Sequence, residues 1–361
     1  MKLRMDKQIK NILKIVIISR VFILTVALLS NFLIDARTAS GLWEAPIPFV
    51  NLFARWDSAY YMHIANFGYN EPHLWAFFPL YPLLMHLTHF LLPFDISLPG
   101  FLLSNVFFFL FLIYFYKLTA KIFNPKISFL SVLLVSFFPS SLFLSAVYAE
   151  SLFLFLIIFS FYSLSEKKIV KSAFVGFLAG LAKPFGFLAG LPHLFNGFIR
   201  HSKKEILVGS IIFSSVVIFF IYMYLVTGDF LIFFNSQSKY WNAEIINNPL
   251  NSFAILTQFQ KILVVLIMII SIFTFVDFFK RKKWYLREES KYYIFFLFIF
   301  LFSLNSPMFS FARFALTFIP IFWYLAKVWS DHKKLGMVIF ILFLILNAYG
   351  TILFVNWYDF Y

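Results

Sequence analysis

The chain is 361 residues long, 62% hydrophobic, 23% aromatic and only 13% charged, with a formal net charge of +14. Soluble domains are roughly one half apolar, so this composition excludes a water-soluble globule and leaves a polytopic membrane protein in a lipid bilayer. Lys and Arg fall in short clusters between apolar runs, as cytoplasmic span ends do, which excludes nucleic acid as the reason for the charge, and the unbroken apolar runs exclude a barrel of alternating strands.

A helical span needs about 20 apolar residues, and basic clusters mark its cytoplasmic end, so length and charge check each other along the chain. Lys2, Arg4, Lys7, Lys10 and Lys14 lead into a first span over Lys10 to Leu33, running outward. The layout resembles a secretory leader, but the run is long enough to cross and no small-residue cleavage site follows, so it is expected to be retained. From Asp35 to about Ser97 the chain is mixed, and Pro46, Pro48, Pro72, Pro79, Pro82 and Pro93 interrupt any long helix. This is a large first extracytoplasmic loop, about 35–97, carrying interfacial helices. Within it Phe77 to Leu92 is apolar enough to resemble a span. If it crossed, Lys117, Lys121 and Lys126 would face outward, so it is expected to lie in the interface or re-enter.

Pro99 to Tyr116 then returns, Ile127 to Val147 goes out, and Ser151 to Leu164 comes back to Glu166-Lys167-Lys168. Val170 to Ala182 and Phe185 to Ile199 form a short pair meeting at Lys183-Pro184 on the outer side, with Arg200, Lys203 and Lys204 inside. Ile206 to Val226 leads to a second outer loop, about 227–252, holding Lys239, Tyr240 and Trp241. Ala254 to Phe279 returns to Lys280-Arg281-Lys282-Lys283, Tyr292 to Leu304 goes out, Phe309 to Val328 returns to Lys327, Lys333 and Lys334, and Leu335 to Val355 ends outside. The expectation is an all-α bundle, one integral-membrane domain over 1–361, with about eleven spans and a cytoplasmic N-terminus.

The chemistry-bearing stretch is Arg55-Trp56-Asp57-Ser58-Ala59-Tyr60-Tyr61-Met62-His63, a polar island after the first span. Asp57 has two readings: a partly desolvated carboxylate able to act as a general base, or the N-cap of a short helix over Ser58 to Asn66 that Gly68 stops. Tyr60, Tyr61, Ile64 and Phe67 recur at helical spacing, as in an interfacial helix anchored by aromatics. His63 is either a donor to a phosphate or an ordinary hydrogen-bonding residue. Ala59 stands two residues after Asp57, so there is no Asp-x-Asp pair to bridge a metal to a diphosphate, and no metal or cofactor is expected. The absence of Cys removes thiol nucleophiles, thiolate metal ligands and disulfides.

Three more charges stand near outer helix ends: Glu150 in Tyr148-Ala149-Glu150-Ser151, Lys183 in Ala182-Lys183-Pro184-Phe185-Gly186, and Arg313 in Phe311-Ala312-Arg313-Phe314. Charge at membrane depth is costly and serves a site, pairs, or snorkels to headgroups. Arg313, with its bidentate fork, and Lys183, a point charge, suit a lipid phosphate, and Glu150 suits pairing with one of them or acceptor hydroxyls.

The Trp56-Asp57-Ser58 loop, His63-Ile64-Ala65-Asn66-Phe67-Gly68-Tyr69, Phe77-Phe78-Pro79-Leu80-Tyr81-Pro82 and Tyr148-Ala149-Glu150-Ser151-Leu152-Phe153 together resemble the PIG-V family, that of GPI mannosyltransferase II and its prokaryotic relatives. Arg313 followed by Phe318-Ile319-Pro320-Ile321-Phe322 resembles that family's late Arg and Pro segment. The resemblance implies a GT-C membrane glycosyltransferase. Such an enzyme takes a sugar, typically mannose, from a polyprenyl- or dolichyl-phosphate donor on the extracytoplasmic side and passes it with inversion to a glycan or glycolipid acceptor. It also implies that Asp57 is the base, while charge placement puts Arg313 and Lys183 on the donor phosphate, and Arg55, Trp56, His63, Tyr81 and Glu150 are expected around the substrate. Where eukaryotic members carry an Arg-Ser-Asn-Gly-like stretch this chain has Ala182-Lys183-Pro184-Phe185-Gly186, which leaves the acceptor open; the expected location is a prokaryotic cell membrane, in which case a GPI acceptor is not expected. The rival from another class is a transporter or flippase for a lipid-linked substrate, and a third reading is an inactive scaffold. Transporters commonly show repeated halves, and none is visible in this sequence.

Overall fold

The structure is a computed structural model and describes residues 2–37, 44–92, 94–241, 249–287, 289–305 and 308–358. Pro93 and parts of the two expected outer loops, 38–43 and 242–248, lie outside the described residues. The described chain is helical, with no strand. Five helices are long and apolar enough to cross a membrane: Lys7–Leu33, Ser97–Ile122, Lys203–Thr227, Gln258–Phe279 and Lys333–Val355. A sixth arises if Phe311–Thr317 and Ile319–Asp331, bent by 76°, count as one. Four shorter apolar helices, Pro125–Ser136, Glu150–Ser165, Ile169–Ala182 and Ser290–Leu304, occupy four more of the expected span positions. The chain is a multi-pass membrane protein.

Local sequence sets the helix ends. Asn124 accepts from the Ile127 N–H and Ser202 from the Glu205 N–H, while Thr257 and Gln260 cap each other reciprocally at the start of Gln258–Phe279. Gly180 lets two helices touch: a Cβ there would collide with the Ser215 side chain, so Ile169–Ala182 lies directly against Lys203–Thr227. Two polar side chains within the bundle show how buried donors are matched. Trp323, fully buried, donates from Nε1 to Thr119 Oγ1 at 2.8 Å, and Asn347 Nδ2 donates to the Phe138 carbonyl at 2.7 Å.

Two expected continuous spans are broken. Ile127 to Val147 is a helix only to Ser136; Pro139 stops it, and the chain continues through a short 3-10 turn at Ser141–Leu144 before Glu150–Ser165 begins. Phe309 to Val328 is likewise broken, at Phe318, and the short helix Phe311–Phe314 carries Arg313. Irregular backbone at membrane depth is tolerated only where protein buries it or a cavity lies beside it, so both breaks point to a site. Phe77 to Leu92 contains a helix only over Leu80–Leu91, whose 12 residues rise about 18 Å, short of a hydrocarbon core of about 30 Å.

The bundle is polarised. At one end Lys121 pairs with Glu166, Lys126 donates to the Ser330 carbonyl at 3.2 Å, Lys327 lies 3.7 Å from Asp277, and Arg281 lies 3.1 Å from Glu289. The basic segments around Lys121 to Lys126, Arg281 and Lys327 therefore gather at this end. Asp57, Glu150, Lys183 and Arg313, from four separate segments, gather elsewhere, beside the Ser58–Phe67 helix.

Candidate active site

The site starts with a backbone irregularity. Trp56 has φ +57°, a left-handed conformation that costs a bulky residue about 1–3 kcal/mol. It is held by its indole N–H, which donates to the Phe354 carbonyl at 3.3 Å, and by the Trp357 ring, 5.3 Å away centroid to centroid. Asp57 follows at the N-cap position of Ser58–Phe67, and Gly68, at φ +74°, ends that helix as expected. The N-cap reading of the Asp57 side chain does not hold: its backbone is already helical, at φ −56° and ψ −17°, and it makes no side-chain cap. Instead Oδ2 accepts a hydrogen bond from Arg313 Nη1 at 2.7 Å.

Tyr148 fixes this loop from behind. The Asp57 N–H donates to the Tyr148 hydroxyl at 3.1 Å, the hydroxyl donates to the Arg55 carbonyl at 3.3 Å, and the Val147 N–H donates to the Phe53 carbonyl at 2.9 Å. The broken segment after Pro139 is thus stitched to the Asp57 turn before it delivers Glu150. Arg313 Nε lies 3.6 Å from Glu150 Oε1, Arg313 Nη2 donates to Ser310 Oγ at 3.1 Å, and the guanidinium sits 5.4 Å from the Tyr148 ring centroid. Glu150 in turn pairs with Lys183, whose ammonium lies 5.3 Å from the Phe185 ring centroid.

Asp57, Arg313, Glu150 and Lys183 form one row of alternating sign that sums to zero. The row is buried: Asp57 is 8% exposed, Glu150 2% and Lys183 6%. Burying an ion costs several kcal/mol, and alternation compensates each charge with its neighbours. Such a row is a weak source of net stability, so four ionisable groups kept together at one place mark a candidate functional site. Glu150 Oε2 is buried with no hydrogen-bond partner among the described residues, an acceptor still to be used. Chemically the row offers a carboxylate to take a proton and two cations to hold a phosphate.

The other expected site residues divide. Arg55 is buried and turned away, with Nη1 3.6 Å from Glu44 and its guanidinium 5.0 Å from the Trp357 ring centroid. Burial pushes its pKa below the ordinary arginine value, against the opposing pull of Glu44. Tyr81 is fully buried, and its hydroxyl is engaged by the Gly100 carbonyl at 2.9 Å and Ser104 Oγ at 2.8 Å, so it braces the loop from within. His63 is half-buried on the outer rim, where Nε2 donates to Asn70 Oδ1 at 2.8 Å. Tyr60, one turn after Asp57, has its pKa raised by burial first and by the Asp57 charge second.

Two residues were missed by sequence reasoning. Tyr148 stands in the motif quoted for Glu150, and its role needed the tertiary fold to be seen. Arg20 did carry a signal, a charge within an apolar run. It donates to the Ser136 and Ser141 carbonyls at 3.1 Å each and to Ser145 Oγ at 2.9 Å, clamping the break between Ser136 and Ser145.

The family described as Mannosyltransferase (PIG-V) matches residues 9–202, which include Asp57, Glu150 and Lys183. GPI mannosyltransferase 2 of Drosophila pseudoobscura pseudoobscura is 29% identical over 173 residues, 40% of this chain and 38% of that protein. GPI alpha-1,6-mannosyltransferase 2 of Homo sapiens is 27% identical over 221 residues, 55% of this chain and 44% of that protein. The matched part thus spans less than half the length of these curated relatives. Among solved structures, the Archaeoglobus fulgidus oligosaccharyltransferase superposes with a TM-score of 0.55 at 14% identity, covering 96% of this chain and 53% of that one. The archaeal oligosaccharyltransferase AglB from the same organism, in complex with an inhibitory peptide and a dolichol-phosphate, gives 0.54 at 12% identity, covering 96% and 56%. The bundle therefore has the oligosaccharyltransferase-like fold, and with the family's match running through more than half of its length the chain belongs to the Mannosyltransferase (PIG-V) family.

Proposed function

We propose that the protein transfers a sugar, mannose by family, with inversion from a polyprenyl- or dolichyl-phosphate donor to a glycan or glycolipid acceptor on the extracytoplasmic face. The observation that carries the reading is the direct contact of Asp57 with Arg313 at 2.7 Å inside a buried row that continues to Glu150 and Lys183. A general base and a phosphate-binding cation are the two functions that displacement of a lipid phosphate requires.

In this mechanism the donor phosphate takes over guanidinium donors of Arg313 and approaches the Lys183 ammonium. Asp57, freed from part of its ion pair, faces the acceptor. The acceptor hydroxyl oxygen attacks the anomeric carbon, its proton passes to the Asp57 carboxylate, and the bond from that carbon to the phosphate oxygen breaks. The electron pair leaves with the lipid phosphate, and the two cations stabilise its growing charge in a low-dielectric site. Glu150 holds the cations at a fixed separation. A lipid-phosphate donor is supported by the fold shared with AglB, whose complex contains dolichol-phosphate. In the topology that goes with this reading, the short and bent apolar segments also cross, and so does Phe185 to Ile199. That gives about eleven spans, an inside N-terminus and loop 35–97 outside, with the basic end of the bundle cytoplasmic.

The test is transfer from polyprenyl-phosphate-mannose by purified protein in nanodiscs, with Asp57→Asn beside the wild type. Loss of about 10²- to 10⁴-fold in kcat, with donor still bound, is expected. Full activity in a folded Asp57→Asn sample removes Asp57 as the base.

A further inference from the structure

Outside the charged row, the two outer loops meet in a patch that the mechanism leaves unused. The helix Ile232–Trp241 docks on the turn Pro72–Ala76: Ser236 Oγ donates to the Pro72 carbonyl at 2.5 Å and Gln237 Nε2 to the Ala76 carbonyl at 3.5 Å. This brings Trp241 to 5.5 Å from Tyr60, ring centroid to ring centroid, and Tyr240 to 5.6 Å from His73. Tyr60 and His73 are themselves 5.3 Å apart. These rings do not form a sealed core. Tyr240 is 43% exposed, and Tyr60, His73 and Trp241 are half-buried.

Beside the rings lies a set of planar polar groups. Glu71, with half its side chain exposed, is 3.4 Å from His73 Nδ1 and 4.0 Å from His63 Nε2, and His63 donates to Asn70. A carboxylate only accepts hydrogen bonds, and a neutral imidazole offers one donor and one acceptor. Burial holds His73 below the ordinary histidine pKa, which favours that neutral form. Half-exposed aromatic faces flanked by such groups suit a ligand that has apolar C–H faces and a rim of hydroxyls. Anchoring in the headgroup zone would need the rings but not the ordered carboxylate and imidazoles.

We propose that Tyr60, Trp241 and Tyr240, with Glu71, His63 and His73, form a carbohydrate cleft that takes a pyranose ring beside Asp57. Tyr60 sits three residues after Asp57 on the same helix, so a sugar packed on it lies one turn from the carboxylate. The proposal rests on the transferase reading only for which sugar sits there, that of the donor or that of the acceptor.

The test uses saturation-transfer NMR on the full chain in nanodiscs with methyl α-mannopyranoside and an α-linked mannobiose as probes, and sorbitol as the open-chain control. Saturation of the sugar C–H protons is expected in the wild type. Roughly tenfold weaker binding is expected in Trp241→Ala and in Glu71→Gln, each first checked for an unchanged melting curve. Asp57→Asn is expected to bind the probes like the wild type, whatever its activity, which separates this cleft from the assignment of the base. In turnover, a rise in acceptor KM alone assigns the cleft to the acceptor sugar, and a rise in donor KM alone assigns it to the donor sugar. Probe binding that is absent in the wild type, equal for sorbitol, or unchanged in both cleft variants overturns the proposal.

Discussion

The Asp57 carboxylate and the Arg313 guanidinium, 256 positions apart in the chain, are joined at 2.7 Å, although Asp57 stands where a helix cap was available to it. A cap is worth about 1 kcal/mol locally. The side chain instead completes a buried ion pair whose loss of one member costs about 3–5 kcal/mol. Arg313→Gln should therefore lower the melting temperature strongly, because it leaves Asp57 uncompensated and Glu150 with Lys183 alone. The double variant Asp57→Asn/Arg313→Gln should melt above the Arg313→Gln single. Melting curves in one detergent check the order, and a double variant that melts no higher than that single would show that the two charges are not coupled.

The other end of the row behaves in the same way, with a functional difference. Lys183→Met leaves Glu150 next to Arg313 alone, so Arg313 is held more firmly by the protein and is less available to a phosphate. The expected outcome is a higher KM for a lipid-phosphate donor with a smaller change in acceptor KM. Glu150→Gln/Lys183→Met should fold better than Lys183→Met. Steady-state kinetics with each substrate varied separately measures the first point, and an unchanged donor KM takes Lys183 out of phosphate binding.

Most helix positions were legible from the length and charge of the apolar runs. The expected Ile206 to Val226 is Lys203–Thr227, and Leu335 to Val355 is Lys333–Val355. What was not legible is where backbone hydrogen bonding fails. Hydropathy counts side chains, so Phe137 to Val147 reads as part of a span although Pro139 ends the helix. The site was legible as a set of charges near helix ends, and its connections were not. Nothing local to Asp57 distinguishes a cap from a partner of Arg313, and Tyr148 is an ordinary aromatic until the fold places its hydroxyl between the Asp57 N–H and the Arg55 carbonyl.

That hydroxyl gives a sharp substitution. Tyr148→Phe keeps the ring under Arg313 but removes an acceptor from the Asp57 N–H and a donor from the Arg55 carbonyl, a cost of about 1–3 kcal/mol for the group left unpaired. The left-handed turn at Trp56 then loses its brace, and Asp57 should sample other orientations. The expected signature is a fall in kcat with donor KM nearly unchanged. Wild-type kcat in this variant would show that the turn is held by Trp56 and its Phe354 and Trp357 contacts alone.

Arg20 sets the last test, since it acts on the site through backbone it does not share with it. It lies inside the first apolar helix, its guanidinium is 4.2 Å from the Phe108 ring centroid, and among the described residues no carboxylate pairs with it. Its charge is met by carbonyl dipoles. The helix ending at Ser136 presents open carbonyls and the negative end of its dipole, and Arg20 donates to the Ser136 and Ser141 carbonyls across the break. The segment so clamped runs on to Tyr148 and Glu150. Arg20→Met removes a donor from the Ser141 carbonyl and leaves the Ser136 carbonyl with the Ser141 hydroxyl alone, at about 1–3 kcal/mol in total, and frees the segment that positions both residues. Arg20→Lys keeps the charge but cannot fork between two carbonyls. Melting temperature and kcat should therefore both fall in the order wild type, Lys variant, Met variant. The loss of kcat should persist at temperatures where the Met variant is fully folded. A folded Met variant with wild-type kcat would confine Arg20 to stability and detach the break from the chemistry.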